Sequence, residues 1–212
     1  MKGLILNDIY IIQKGIKSAI ILSTLCILFL LFTKSDIVFK VAVLLPFLII
    51  PVKSFEILKY DVKSGWDKFS FTLPVKRTNL VKAKYITFLI LITLSFLLSF
   101  GLFFSIDLLL FPTLTFEYYN QLLRGLGLII CVGAMLYPLT YKLGIEKSDS
   151  ITIYSLGFSF GVFFSLAFVA KLVLEPNRIA DMIFSVVFFG LSVFFLIISY
   201  LISCSFVKRK EF

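Results

Sequence analysis

The sequence predicts an all-α membrane protein with six transmembrane helices, and three observations lead to this fold class. Hydrophobic residues make up 60% of the 212 residues, and 26 residues are Phe, whereas soluble domains average roughly 45–50% apolar residues. The chain contains six apolar runs without a charged residue. Its basic residues gather at the ends of these runs, where side chains meet lipid headgroups. A lipid bilayer is therefore the solvent that suits this chain.

Each run is assigned to one membrane-spanning helix, which needs about 20 predominantly apolar residues. The runs cover residues 18–33, 41–52, 85–106, 125–141, 150–170 and 182–207. The second run is the shortest and contains Pro46 and Pro51. Taken alone it is a re-entrant segment, but its extension to residues 37–58 makes a full span that is kinked at the prolines. We predict the full span, because the basic residues before the first run and those after the second are both expected in the cytoplasm. The chain must then cross the membrane twice between them.

The distribution of basic residues predicts that both termini lie in the cytoplasm. With six spans, 16 of the 21 Lys and Arg residues fall on one side of the membrane and 5 on the other. Basic residues are enriched in cytoplasmic loops, so the side with 16 is predicted to be inside. The external loops, residues 34–40, 111–124 and 171–181, are then short and leave no room for an external capture domain.

The whole chain, residues 1–212, is predicted to form a single transmembrane domain. In residues 1–17, four isoleucines recur on one helical face, which favours an interfacial helix on the cytoplasmic leaflet over a solvated tail. The further predicted parts are spans 1 and 2 in residues 18–58, a cytoplasmic segment in 59–84, spans 3 to 6 in 85–207 and a basic tail in 208–212.

Several function classes are excluded by what the sequence lacks. The chain contains no His, which removes Ser-His and Cys-His nucleophilic catalysis and any His-ligated metal site. The three cysteines are isolated within apolar runs, so neither a disulfide framework nor a thiolate metal site is indicated. There is no G-x-x-x-x-G-K-[ST] motif and therefore no P-loop. Because the basic residues flank apolar spans, we expect no nucleic-acid partner, and we expect neither enzymatic activity nor a cofactor bound by this chain.

The most distinctive segment lies between the second and third spans. Residues 53–84, which follow the second uncharged run, hold the single Trp, three acidic residues and eight basic ones, with aromatic residues among them. Leu73 and Pro74 end any preceding helix, because a residue before proline disfavours the α region. We therefore predict a short helix parallel to the membrane and then a turn into the third span. The mixture of charged and aromatic residues favours a protein-docking surface, whereas a polybasic loop that holds anionic membrane lipid explains only the lysines.

Three stretches of this region resemble small ABC-2 type permeases: Ser-Gly-Trp-Asp-Lys-Phe at 64–69, Leu-Pro-Val-Lys-Arg at 73–77 and Val-Lys-Ala-Lys-Tyr at 81–85. Within that family, the chain is most similar to permease subunits of bacterial peptide exporters, such as the phenol-soluble-modulin exporters. The resemblance implies a six-helix half-transporter that pairs with an identical or homologous permease and recruits two separate P-loop ATPase subunits. ATP and Mg are then bound by the ATPase.

The resemblance also implies that the segment after the second span is a coupling helix seated in a groove of the ATPase. The residues assigned by it to ATPase docking are Glu56, Tyr60, Asp61, Trp66, Asp67, Lys68 and Phe69. Leu73, Pro74 and Arg77 would fix the return of the segment to the third span.

Two further sets of residues are candidates for contacts inside the bilayer. Gly157, Gly161 and Ser165 recur every four residues and form a small-residue face, which permits close helix packing within the chain or between two copies. Asp107, near the outer end of the third span, is a candidate ion-pair partner of Arg124 at the outer start of the fourth. Simple solvation of Asp107 and a role in the substrate path are the alternatives.

Together these features predict the permease subunit of an ATP-binding-cassette exporter, a multi-pass protein of the bacterial cytoplasmic membrane. The Phe-rich spans contain few charges, which favours amphipathic peptides or other hydrophobic cargo over a small ion, whose path needs polar lining. The alternative is an ATP-independent membrane immunity protein that binds a toxic peptide or lipid and has no ATPase partner.

Overall fold

The computed structural model describes residues 2–31, 36–70, 72, 75–109, 116–173, 175 and 177–209. Within these residues all regular structure is helical, which confirms the predicted all-α class. The helices are α1 (Lys2–Leu31), α2 (Asp36–Ile49), α3 (Val52–Lys63), α4 (Trp66–Ser70), α5 (Arg77–Leu109), α6 (Phe116–Leu143), α7 (Ser148–Val173) and α8 (Arg178–Arg209). A 3₁₀ turn, Ile145–Lys147, joins α6 to α7.

Within the described ranges, five helices are long and apolar enough to cross a membrane, namely α1, α5, α6, α7 and α8. The predicted second span is instead divided between α2 and α3, which have 14 and 12 residues. Pro51 explains the division, because it has no N–H to continue the hydrogen-bond ladder of α2 and its φ of −68° suits the start of α3. Neither piece alone reaches the about 20 residues that a span needs.

α1 is one continuous helix from Lys2 to Leu31. The sequence predicts two pieces here, an interfacial helix in residues 1–17 and a span that begins at residue 18. No proline interrupts the 30 residues of α1, and at about 1.5 Å per residue they extend about 45 Å, more than the roughly 30 Å of a hydrocarbon core. The helix is long enough to contain both pieces, and the position of its first half relative to the membrane stays a prediction.

α6 packs against α2, α5, α7 and α8 and forms the centre of the described bundle. Three glycines allow its close approach to these neighbours, because an added Cβ would overlap a phenylalanine ring at each: Phe47 of α2 at Gly125, Phe188 of α8 at Gly127 and Phe88 of α5 at Gly133. Small residues are the usual means of close packing between membrane helices. These glycines set the distance between α6 and three of its neighbours.

Contacts between helix ends bring together the parts that the sequence predicts to be cytoplasmic. Lys59, in the last turns of α3, lies 2.8 Å from a carboxylate oxygen of Asp149 in the first turn of α7. Lys142, near the end of α6, lies 6.0 Å from the ring centroid of Phe206, near the end of α8. We call this side of the molecule, where α3, α6 and α8 end and α5 and α7 begin, the basic end.

Candidate functional site

The candidate site is the α3–α4 segment at the basic end, which contains the residues assigned to docking. α3 ends because Gly65 has a left-handed φ of +71°, a conformation that favours glycine after the last helical residue. The backbone N–H and the hydroxyl of Ser64 both donate to the Tyr60 carbonyl, at 2.9 and 2.8 Å. α4 starts directly after this turn, so a short helix lies where the sequence predicts one.

Aromatic side chains are part of the exposed surface of this segment. Tyr60 and Phe69 are 52% and 55% exposed. Trp66 is half-buried, and its ring centroid lies 5.5 Å from that of Phe69. Glu56 forms an ion pair with Lys53, one turn earlier in α3, at 2.6 Å. The structure therefore brings Trp66 and Phe69 together and leaves Tyr60 accessible on α3.

The remaining residues of the predicted surface are only partly described. The backbone of Asp67 and Lys68 lies in α4, but their side chains lie outside the described part of the structure. Leu73 and Pro74 also lie outside the described residues. Arg77 is exposed and is the first residue of α5, so this helix begins within the segment predicted to couple the two spans.

Sequence reasoning assigns Asp61 to the docking surface, and the structure corrects this assignment because Asp61 is only 6% exposed. Its Oδ2 lies 2.6 Å from Nζ of Lys84 in α5. The same Nζ lies 2.6 Å from Oδ1 of Asp8 in α1, and the Thr87 hydroxyl donates to Oδ2 of Asp8 at 3.3 Å. Three helices thus meet in one buried group of charges, which we call the ion triad (Asp8, Asp61 and Lys84).

Each member of the ion triad lies on an apolar helix face. A buried apolar residue lies four positions away in every case: Ile12 for Asp8, Ile57 for Asp61 and Phe88 for Lys84. Residues four apart share a helix face. A charged residue four positions from an apolar residue of the buried face is therefore a signal of burial that the sequence itself contains. Sequence reasoning missed it, since it did not single out Asp8 and counted Lys84 among the basic residues that orient the chain. In the described ranges, no group of three or more His, Cys, Asp or Glu side chains could hold a metal ion.

Aromatic contacts hold α3 beside the ion triad. The ring centroid of Phe55 in α3 lies 5.6 Å from that of Phe88 in α5 and 5.8 Å from that of Tyr137 in α6. The Tyr137 hydroxyl donates to the hydroxyl oxygen of Ser54 in α3 at 3.4 Å. The base of the α3–α4 segment is therefore fixed to two of the long helices.

The small residues of α7 do not pack against the described helices. A Cβ added at Gly157 or Gly161 would meet no atom within 4 Å. Ser165 is exposed, and its hydroxyl donates to the Val162 carbonyl of the same helix. Packing of this face against the described helices is not observed, and its contact with a second copy stays a prediction. Close packing within the chain uses the α6 glycines, which sequence reasoning missed.

Arg124 lies at the opposite end of the bundle and contacts α8. Its guanidinium pairs with the carboxylate of Asp181, donates from Nε to the Ser185 hydroxyl at 3.0 Å and lies 5.0 Å from the Phe184 ring centroid. The Asp107 side chain lies outside the described part of the structure, so the predicted pair with Asp107 stays a prediction. Sequence reasoning missed Asp181, which is 57 residues from Arg124 along the chain.

Comparison with known proteins identifies the class to which this helical bundle belongs. A family model described as "ABC-2 family transporter protein" matches residues 3–208. Searches with the chain matched no curated protein and no solved structure. The family match confirms the resemblance to ABC-2 type permeases, and with the five apolar helices it identifies a multi-pass membrane component of a transporter. The chain therefore belongs to the ABC-2 family of transporter proteins.

Proposed function

We propose that this chain is the permease subunit of an ATP-driven exporter and that its α3–α4 segment docks a separate P-loop ATPase. The observation that carries the proposal is the presence of two exposed aromatic side chains, Tyr60 and Phe69, at the basic end, with the half-buried Trp66 beside Phe69. Aromatic residues beside charged ones are typical of interface hot spots, and membership of the family makes an ATPase the expected partner. Two ATPase subunits bind two permeases in this proposal, and the ATPase binds ATP and Mg.

We further propose six crossings, of which α2 and the first half of α3 together form the second, over residues 37–58. These residues amount to the length of one full span of about 20 residues with the break at Pro51 inside it, and the second half of α3 lies beyond the membrane. The basic end then faces the cytoplasm of a bacterial cell, because most Lys and Arg residues belong to the pieces that meet there. Both termini lie on that side, and residues 1–212 act as one permease domain.

The proposed cargo is an amphipathic peptide or another hydrophobic molecule. The support for it is compositional, since 26 of the 212 residues are Phe. Exposed aromatic side chains also continue along α7, where Phe160, Phe164 and Phe168 are 46%, 65% and 64% exposed. Such surfaces suit an apolar or amphipathic ligand better than a hydrated ion.

Removal of two docking aromatics tests the ATPase partner. We expect Trp66→Ala/Phe69→Ala to lose at least about tenfold of the co-purifying ATPase, because central aromatic anchors contribute about 2 kcal/mol or more to an interface. The tagged chain is purified in mild detergent, and its partners are identified by mass spectrometry. Trp66→Ala/Asp67→Ala is compared in the same way.

The matched control replaces two exposed tyrosines outside the segment, Tyr10→Ala/Tyr154→Ala, which are 70% and 68% exposed. It should retain the ATPase at the wild-type level. Absence of any ATPase from the wild-type sample would contradict the proposal and favour the ATP-independent immunity protein.

Cysteine cross-linking tests whether the small-residue face of α7 contacts a second permease. We expect Gly161→Cys, in a variant whose Cys26, Cys131 and Cys204 are replaced by Ser, to give a covalent dimer in membranes, because small residues allow helices to approach closely. Phe160→Cys, exposed on the neighbouring face, is the control and should cross-link several-fold less. Equal cross-linking at both positions would exclude this face as a specific contact.

A further inference from the structure

The ion triad joins three helices that are distant along the chain. Asp8 lies in the second turn of α1, Asp61 in the last turn of α3 and Lys84 in the second turn of α5. Both carboxylate oxygen to Nζ distances are 2.6 Å, and the three side chains are 3%, 8% and 12% exposed.

Stability alone does not explain this arrangement. Removing charged groups from water is costly, and apolar side chains of similar volume commonly stabilise a fold equally well or better. The other described ion pairs at the basic end have a different character. Lys59 and Asp149 have side chains that are 42% and 90% exposed, and Lys53 contacts Glu56 within a single helix. The ion triad differs from both pairs, because it is buried and also connects separate helices. The Lys59–Asp149 pair connects two helices but is exposed.

The position of the ion triad relates it to the docking segment. Asp61 precedes the Ser64–Gly65 turn and Lys84 follows the start of α5, so their ion pair closes the base of the α3–α4 segment. Asp8 adds α1 to this base. Besides this contact of Asp8, α1 meets α3 and α5 in a buried apolar cluster that includes Ile12, Ile57 and Leu91.

We propose that Asp8 is a positioning residue, which ties α1 through Lys84 to the base of the docking segment so that α1 and the segment move together. Apolar contacts are non-directional and allow helices to slide, whereas a charge-assisted hydrogen bond has a defined length and direction. A displacement of α3 by the ATPase is therefore transmitted to α1. This inference rests on the proposed function, in which nucleotide binding by the ATPase moves the α3–α4 segment.

Asp8→Asn is the variant that tests the inference. It removes the negative charge from α1 and leaves Asp61 and Lys84 as an ion pair without net charge. The permease and its co-purified ATPase are reconstituted in liposomes, and uptake of a fluorescent synthetic amphipathic helical peptide is divided by ATP hydrolysed. We expect ATPase binding and ATP hydrolysis at wild-type levels. The ratio of peptide uptake to ATP hydrolysed should fall about fivefold or more, a factor at the lower end of coupling between linked sites. Asp8→Glu should restore the ratio.

The matched control is Asp149→Asn, the same chemical change in the exposed pair with Lys59, and its ratio should equal that of the wild type. A purely structural role for Asp8 would reduce uptake and hydrolysis in proportion, because less protein folds, and would leave the ratio unchanged. That result would overturn the inference.

Hydrogen exchange of the permease alone separates this inference from the proposed function. In Asp8→Asn we expect faster exchange of backbone amides both in the first turns of α1 and in α3, since local openings that share an interaction become more frequent together. A change confined to α1 would overturn the connection even where an ATPase binds. If the wild-type permease binds no ATPase, the proposed function is contradicted, and so is the transmission of an ATPase-driven movement from α3 to α1. The exchange pattern of the permease alone still decides whether α1 and α3 are connected.

Discussion

Lys84→Met is expected to destabilise the folded chain by about 3–5 kcal/mol, because removing one partner of a buried ion pair leaves an uncompensated charge. Here two carboxylates, those of Asp8 and Asp61, would lose the ammonium group that lies 2.6 Å from each. Methionine preserves most of the volume of the side chain, so the effect reports the lost charge rather than a cavity. The measurement is the yield of folded monodisperse protein in detergent, followed by denaturant unfolding.

Lys59→Met is the matched control for this change. Lys59 forms its ion pair with Asp149 at the surface, and exposed pairs contribute only about 0–1 kcal/mol. The triple variant Asp8→Asn/Asp61→Asn/Lys84→Met, which carries no charge at the ion triad, should recover most of the lost stability. Equal stability of Lys84→Met and Lys59→Met would show that Lys84 does not compensate the two carboxylates.

Gly127→Val is expected to cost about 1–3 kcal/mol, the usual range for overpacking a filled core. A Cβ at Gly127 would lie 2.6 Å from Cε1 and 2.7 Å from Cδ1 of Phe188. This ring cannot move aside readily, because it is fully buried and lies between Phe163 and Phe184, with centroids at 5.2 and 6.3 Å. Separation of α6 from α8 is therefore the expected response, measured as a lower unfolding midpoint.

Gly190→Val is the control for Gly127→Val, since it makes the same replacement in a membrane helix, α8, where a Cβ meets nothing within 4 Å. We expect its unfolding midpoint to equal or slightly exceed that of the wild type, because valine has a higher helix propensity than glycine. If both variants unfold at the same midpoint, Gly127 is not needed for the close packing of α6 on α8.

The positions of most helices could be predicted from the sequence, because they depend on local properties. Uncharged apolar runs and the Lys and Arg residues at their ends identify five helices that the structure also contains. The second span was more difficult, since Pro46 and Pro51 permit either a kink or a break. In the structure, α2 continues through Pro46 and ends at Ile49, and α3 begins at Val52, directly after Pro51.

The α3–α4 segment was predicted in part. Its aromatic residues and the short helix after Gly65 follow from local sequence, and Tyr60 and Phe69 are exposed, while their docking role stays a prediction. Asp61 was assigned to the same surface by the resemblance to ABC-2 type permeases. Its spacing of four from the buried Ile57 places it on the buried face of α3, toward Lys84. Helical spacing is therefore a better guide to the burial of such a residue than a short matching motif.

The sequence by itself determined the helical membrane class, the approximate helix positions and the family, because hydrophobicity, charge placement and short motifs act over one helix or less. Only the tertiary structure decided which charges meet and which glycines are covered. Asp8 and Lys84 are 76 residues apart, and Gly127 and Gly157 look alike in sequence although one is covered by Phe188 and the other is open. The physical reason is that such contacts depend on how whole helices pack against one another, and no single helix contains that information.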